Sequence, residues 1–156
     1  MTDQDPSSAL CLACGLCCSG ALFDLVPLDA DEIAHARALR LPVLQGPHVD
    51  GFAPPCPELH DRACAIYDAR RPRMCGAYAC ATLRAFQAGE LAFAPALDRV
   101  REGAAIADEL RARVPGWPAS RDVTSGELRR PTAEALAAES ELVARWRAVK
   151  RAHFEP

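Results

Sequence analysis

The sequence predicts a mainly α-helical protein with short irregular β-strands, in which a small cysteine-rich domain is followed by C-terminal helices. Two observations predict this class. All eight cysteines of the 156-residue chain lie between Cys11 and Cys80, in a segment that many prolines and glycines interrupt. The remainder of the chain contains no cysteine and carries apolar residues at helical spacing.

These patterns divide the chain into three parts. We expect a flexible tail over residues 1–10, a cysteine-cluster domain over 11–89, and a helical extension over 90–156. Half of all residues are apolar (50%), which is enough for a buried core. The net charge of -3 gives no reason to expect nucleic acid as a partner.

The first residues also bear on localisation. Residues 1–8 are acidic and polar, unlike the basic and then apolar start of an export signal. Charged residues or prolines interrupt every apolar stretch well before the roughly 18 residues that a membrane span needs. We therefore expect a soluble, cytoplasmic protein without a membrane partner.

The first elements of the cysteine-rich part follow from local signals. Residues 21–26 form a short apolar run and predict a strand. Asp29 followed three residues later by Glu32 predicts a capping box, and therefore a helix start. This helix is expected to end near Arg40, before the next proline.

The later elements of this part are shorter. Prolines and glycines over residues 45–57 exclude regular structure, so the cysteine in that stretch is expected in a loop. Residues 64–67 predict a short strand. Pro72 suits the first turn of one helix that carries Cys75, continues past the last cysteine and ends at Gly89.

Two helical segments are predicted in the extension. Apolar residues recur every three or four positions over 97–114, with Gly103 as a point of division. The clearest helix covers 131–153, where Glu141 precedes Arg145 by four positions, in the order that favours a surface ion pair. We expect these helices to pack on the cysteine domain or on a second copy.

The cysteines themselves need a chemical explanation. Reducing conditions in the cytoplasm disfavour a framework of disulfides, so metal ligation is the better explanation. A Cys-x-x-Cys pair brings two thiolates within about 2.3 Å of one ion. Cys11 with Cys14, and Cys14 with Cys17, have this spacing. Cys17 and Cys18 are adjacent and project in different directions, which suits two neighbouring sites.

Several alternatives remain open, and others fail. Eight thiolates match two four-sulfur sites, one cubane cluster with one mononuclear site, or a compact site with shared sulfurs. No histidine follows Cys14 or Cys17, which excludes covalent haem attachment. Cys18 interrupts the spacing of a bacterial ferredoxin. A zinc ribbon would need a second Cys-x-x-Cys, and none follows.

The motifs resemble a known family. The matching pattern is Cys11-x-x-Cys14-x-x-Cys17-Cys18, then Pro55-Cys56-Pro57-x-Leu59, then Cys64-Ala65-Ile66-Tyr67-x-x-Arg70-Arg71-Pro72-x-x-Cys75-x-x-Tyr78-x-Cys80. Over residues 8–88 this resembles the CxxCxxCC cysteine-cluster family, described as a zinc- or iron-chelating domain. Gly76 departs from the family, whose members often carry Arg at that position. Flagellin lysine-N-methylase, a bacterial enzyme, is a larger relative.

The resemblance implies that all eight cysteines are metal ligands: Cys11, Cys14, Cys17, Cys18, Cys56, Cys64, Cys75 and Cys80. We expect about two Zn²⁺ per chain in a structural or interaction module without enzymatic activity. The alternatives are iron or an iron-sulfur cluster in redox or sensing work, and an enzyme or enzyme subunit related to the methylase. A protein partner is unidentified.

Other residues near the cysteines have weaker roles. His60 is a substitute ligand in principle, but a single loop histidine is more often simply exposed. Arg70, Arg71 and Arg73 are placed to offset the negative charge of gathered thiolates, or else form an ordinary solvated run. Tyr67 is expected to pack beneath the cluster.

Overall fold

A computed structural model describes residues 5–156, and about half of the chain is helical. The helices are Pro6–Cys14 (α1), Leu16–Ser19 (α2), Ile33–Ala38 (α3), Arg73–Ala77 (α4), Ala81–Gln87 (α5), Phe93–Arg113 (α6), Ala133–Ala138 (α7) and Ser140–His153 (α8). The strands are Val26–Pro27 (β1), Val43–Gln45 (β2), Asp50–Phe52 (β3), Leu59–His60 (β4), Ala63–Cys64 (β5), Ser120–Arg121 (β6) and Leu128–Arg129 (β7). The prediction of a mainly helical chain with short strands is confirmed.

The strands form three small antiparallel units. β1, β3 and β2 make a three-stranded sheet in that order, while β4 pairs with β5 and β6 with β7. Gly51 lies at the centre of the three-stranded sheet, where a side chain would collide with the Val26 carbonyl oxygen. Its missing side chain lets β3 form within residues 45–57, where we expected no regular structure.

The chain enters the fold through α1. The Asp5 carboxylate accepts the Ser8 N–H at 3.3 Å and so caps this helix. Residues 6–10, which we expected in the flexible tail, are helical because Leu10 packs into the core and is only 2% exposed. Residues 1–4 of that tail lie outside the described part of the chain. The domain boundaries remain a prediction.

The capping box at Asp29 and the strand over residues 21–26 were both predicted from neighbouring residues alone. The capping box is confirmed, and a 3-10 turn over Ala30–Glu32 leads from it into α3. The strand predicted over 21–26 is wrong for most of its length. Only Val26 pairs, because its partner strand β3 extends no further than Phe52.

The single helix predicted from Pro72 to Gly89 is also wrong, because it is two helices. α4 ends at Ala77, and Cys80 then adopts an extended conformation as the residue that precedes α5. The predicted stop is confirmed, since Gly89 has a φ of 75°. The break between α4 and α5 turns out to matter for the cysteine site.

The extension contains one long helix and one broken helix. α6 runs for 21 residues, and Gly103 does not divide it. The helix predicted over 131–153 divides at Glu139, whose φ and ψ of -121° and 39° leave the helical region. Arg145 approaches Glu102 on α6 at 3.7 Å, which replaces the predicted pair with Glu141.

The main core joins both ends of the chain. Buried residues of α1, α2, α5, α6 and α8 form one apolar cluster, and a smaller cluster lies under the three-stranded sheet. Trp117 and Trp146 meet edge to face in the main core, with ring centroids 5.6 Å apart. Among residues 5–156, no helix combines the length and apolar character that crossing a membrane requires.

Candidate metal centre

All eight cysteine side chains line one cavity of about 150 Å³. They come from α1 (Cys11 and Cys14), α2 (Cys17 and Cys18), the loop before β4 (Cys56), β5 (Cys64), α4 (Cys75) and the residue before α5 (Cys80). The fold therefore brings together the two cysteine clusters that the sequence separates. All eight are free thiols.

Backbone contacts explain how distant cysteines meet. Gly15 separates α1 from α2 with a φ of 66°, a conformation that glycine adopts without strain. A side chain at this position would lie 2.8 Å from the Arg62 carbonyl oxygen, so the β4–β5 turn packs directly on the break. The Cys56 N–H donates to the Cys18 carbonyl at 2.8 Å. These contacts hold the second cluster against the first.

Four thiols form a first group: Cys11, Cys14, Cys17 and Cys80. Burial, followed by negative charge on Cys80 and Cys11, raises the pKa of Cys14 to about 12. Burial also raises the pKa of Cys17, followed by the effect of charge on Cys14, Cys80, Cys11 and Cys75. Cys14 and Cys17 therefore resist ionisation, because a charge on either would be buried close to other thiols.

The other four thiols form a second group: Cys18, Cys56, Cys64 and Cys75. Cys18 donates a hydrogen bond to Cys64, which raises the pKa of Cys18 and lowers that of Cys64. Burial, followed by charge on Cys56, raises the pKa of Cys75 to about 11. The adjacent residues Cys17 and Cys18 thus fall into different groups.

The two groups are close neighbours. Charge on Cys75 in the second group acts on Cys17 in the first, and charge on Cys17 acts on Cys18. Among the described residues, no three histidine, cysteine, aspartate or glutamate side chains already converge as a metal site. To surround an ion, the thiols of each group would have to turn toward a common point.

The donor chemistry nevertheless fits a metal. Eight thiols around one mostly apolar cavity cannot ionise together without positive charge among them, and thiolate sulfur is a preferred ligand of zinc and of iron-sulfur clusters. A bound cation would offset the burial that disfavours the thiolate form. The residues present are therefore suited to hold metal.

Arg71 supplies positive charge at the cavity. Its guanidinium lies 4.0 Å from the centre of the Tyr67 ring, and both side chains line the cavity. Its charge acts to lower the pKa values of Cys11, Cys64 and Cys75. The Arg71 charge therefore acts on thiols of both groups.

The other two arginines of the run act differently from Arg71. The backbone carbonyl of Arg70 accepts a hydrogen bond from His35 at 2.8 Å. Arg73 forms an ion pair with Asp29. Of the three, Arg71 is the one that lines the cavity.

His60 lies outside the cavity, whereas Tyr67 lines it. His60 is exposed on β4 and is not among the residues that line the cavity. The Tyr67 hydroxyl hydrogen-bonds to the Cys11 sulfur, so this ring packs against the cysteines, as expected.

Tyr78 belongs to the sequence pattern quoted above, which assigned it no role at the site. This ring lines the cavity and packs edge to face on Phe23, with centroids 4.7 Å apart. Its hydroxyl donates to the Phe154 carbonyl at 2.7 Å. Burial, followed by charge on Cys17 and Cys80, raises its pKa to about 12. Its position two residues before Cys80 was the available signal.

Comparison with known proteins gives one match. The family model CxxCxxCC, "Putative zinc- or iron-chelating domain", matches residues 10–93, more than half of the chain. The match includes all eight cysteines of the cavity. No curated protein and no solved structure matches the chain significantly.

Proposed function

Because the chain belongs to the CxxCxxCC family of zinc- or iron-chelating domains, we propose that its eight cysteines bind two zinc ions in two adjacent four-sulfur sites. The first group, Cys11, Cys14, Cys17 and Cys80, would hold one ion. The second group, Cys18, Cys56, Cys64 and Cys75, would hold the other. The protein would serve as a metal-organised structural or interaction module.

The observation that supports this proposal is that all eight thiols line one cavity, where charge on Cys80 and Cys11 acts on Cys14, and charge on Cys64 and Cys56 acts on Cys18. A structural zinc site is closed by four protein ligands, whereas a catalytic site keeps one position open. Eight thiols are enough to close two sites without water. Loops of unequal length suit zinc, which has no geometric preference from d-electrons.

The proposed division into two groups also makes the proposal testable by pairs of substitutions. Protein purified without oxygen is analysed for metal content per chain. We expect about two zinc equivalents in the wild type, and about one in each of Cys14→Ser and Cys56→Ser. Cys14→Ser with Cys80→Ser should still retain one ion, because both residues belong to the first group. Cys14→Ser with Cys56→Ser should retain none.

The same preparations separate the other outcomes. One equivalent in the wild type, with four thiols free to react, would contradict two sites. Loss of both ions in the Cys14→Ser, Cys80→Ser double variant would contradict this assignment of ligands. Iron with matching labile sulfide and broad visible absorption near 400 nm would replace zinc with an iron-sulfur cluster.

A further inference from the structure

We propose that the C-terminal segment His153–Phe154 positions Cys80 and thereby controls how firmly the first group retains its metal. The segment is a positioning element, because its effect passes through the backbone that carries Cys80. The inference rests on the proposed function, since it assumes that the first group binds metal.

Two hydrogen bonds tie the backbone of this segment to side chains on either side of Cys80. The Tyr78 hydroxyl donates to the Phe154 carbonyl at 2.7 Å. The Thr82 hydroxyl donates to the His153 carbonyl at 2.8 Å, and Thr82 is only 1% exposed. Cys80 lies midway between the two donors, so the end of α8 fixes the break between α4 and α5.

The Phe154 side chain connects the segment to the opposite side of the first group. Phe154 is fully buried (0% exposed) and lines the cysteine cavity. Its ring packs against Gly103, where an added methyl group would collide with the ring edge, 2.5 Å from Cζ. The added methyl group at Gly103 would also lie 3.3 Å from Leu16 Cδ1. Leu16 lies between Cys14 and Cys17 in the chain. Phe154 and Leu16 therefore both lie against Gly103 in the main core, which brings the C-terminal segment close to the part of the chain that carries Cys14 and Cys17.

The second group is anchored elsewhere. Cys75 lies on α4, whose first N–H, that of Arg73, donates to Glu32 at 2.6 Å. Cys56 is held by its backbone bond to Cys18. Since these contacts do not involve the C-terminal segment, the segment should influence one metal ion and leave the other unaffected.

Two small substitutions test this selectivity. Tyr78→Phe removes the hydroxyl and keeps the ring that packs on Phe23, and Thr82→Val removes a buried hydroxyl without changing the shape of the side chain. The measured quantity is the rate at which each zinc ion is transferred to a chromogenic chelator. We expect one of the two ions to leave about tenfold faster in both variants, with the other unchanged. Addition of Cys80→Ser should abolish the fast phase.

Thr132→Val is the matched control, because its hydroxyl accepts the Ala135 N–H at the start of α7, away from the cysteine cavity. It should lower the unfolding temperature without changing either rate of zinc release. If Thr82→Val fails to fold, Tyr78→Phe alone decides the test, since it retains the aromatic packing. Release at the wild-type rate in folded Tyr78→Phe would overturn the inference.

Thermodynamic linkage gives a second test. If the C-terminal contacts strengthen metal binding, then metal binding must strengthen the C-terminal contacts. Hydrogen exchange of the amides over residues 150–156 should speed up in Cys80→Ser and remain as in the wild type in Cys56→Ser. Equal exchange in the two variants would overturn the coupling.

The two proposals fail differently. A wild-type protein that contains no metal would overturn both, whereas two ions with release unaffected by Tyr78→Phe would overturn this inference alone.

Discussion

The carboxylate of Glu32 accepts the backbone N–H of Arg73, 41 positions further along the chain, at 2.6 Å. Its other oxygen accepts the N–H of Asp29 at 2.9 Å, within the capping box. One side chain thus caps two helix starts, and the second start belongs to the helix that carries Cys75. Through this carboxylate, the 3-10 turn before α3 holds part of the cysteine cavity in place.

Glu32→Gln should lower the free energy of unfolding by about 1 kcal/mol at neutral pH, because the amide cannot accept both N–H groups. The Asp29 N–H, and then that of Arg73, lower the pKa of Glu32. Its contribution is therefore complete above the unfolded pKa of about 4.3, and disappears as the pH falls through the lower folded value. Urea unfolding of both proteins between pH 7 and pH 2.5 measures this difference.

Glu90→Gln is the control for that series, since Glu90 is exposed and its side chain caps no helix in the structure. Acid releases metal from thiolates in all three proteins, so this effect cancels in the comparison. A difference between wild type and Glu32→Gln that persists unchanged at pH 2.5 would contradict the role of the ionised carboxylate.

Gly103→Ala should destabilise the protein by about 1–3 kcal/mol, because the new methyl group would collide with the buried Phe154 ring. Alanine otherwise favours a helix over glycine by about 1 kcal/mol. Gly76→Ala is the matched helical control. Its nearest neighbour is the end of the Arg71 side chain at 4.0 Å, so this change should be neutral or stabilising. Thermal unfolding of the two variants gives the answer, and equal stability would show that the ring can move aside.

Arg71→Ala should speed zinc release from both groups by about tenfold, because this cation reaches thiols of each. Arg71→Lys retains the charge but loses the planar stacking on Tyr67, so its effect should be smaller. Arg70→Ala is the control, since Arg70 engages His35 through a backbone carbonyl that the substitution retains. A chelator assay at fixed pH compares the three. Identical rates in Arg70→Ala and Arg71→Ala would remove the special role of Arg71.

Metal removal should loosen the segment between the cysteine clusters. Residues 41–64 contain four strands of only two or three residues each, so metal would supply much of the order there. We expect trypsin to cleave rapidly after the exposed Arg62 once zinc is chelated. α6 and the buried side of α8, around Trp146, should survive longer, because they pack on each other in the main core. Mass spectrometry of the early fragments distinguishes this order from uniform digestion.

The sequence predicted features that depend on a few neighbouring residues. The capping box at Asp29 and the stop at Gly89 are of this kind. It did not predict the break between α4 and α5, because Tyr78 is anchored by Phe154, 76 positions away. Local sequence also predicts Gly103 as a weak point of the helix. The reason for a glycine there is not local, because the Phe154 ring that packs on it lies near the C-terminus.

The contact between Trp117 and Trp146 has a practical consequence for spectroscopy. These are the only two tryptophans of the chain, and their rings are 5.6 Å apart. Nearly all of the ultraviolet fluorescence therefore originates where the loop after α6 meets α8. Emission intensity and wavelength report on the solvation of that single junction, while the Tyr67 and Tyr78 rings beside the cysteines remain almost silent. An optical probe of the helical half is already built into the protein.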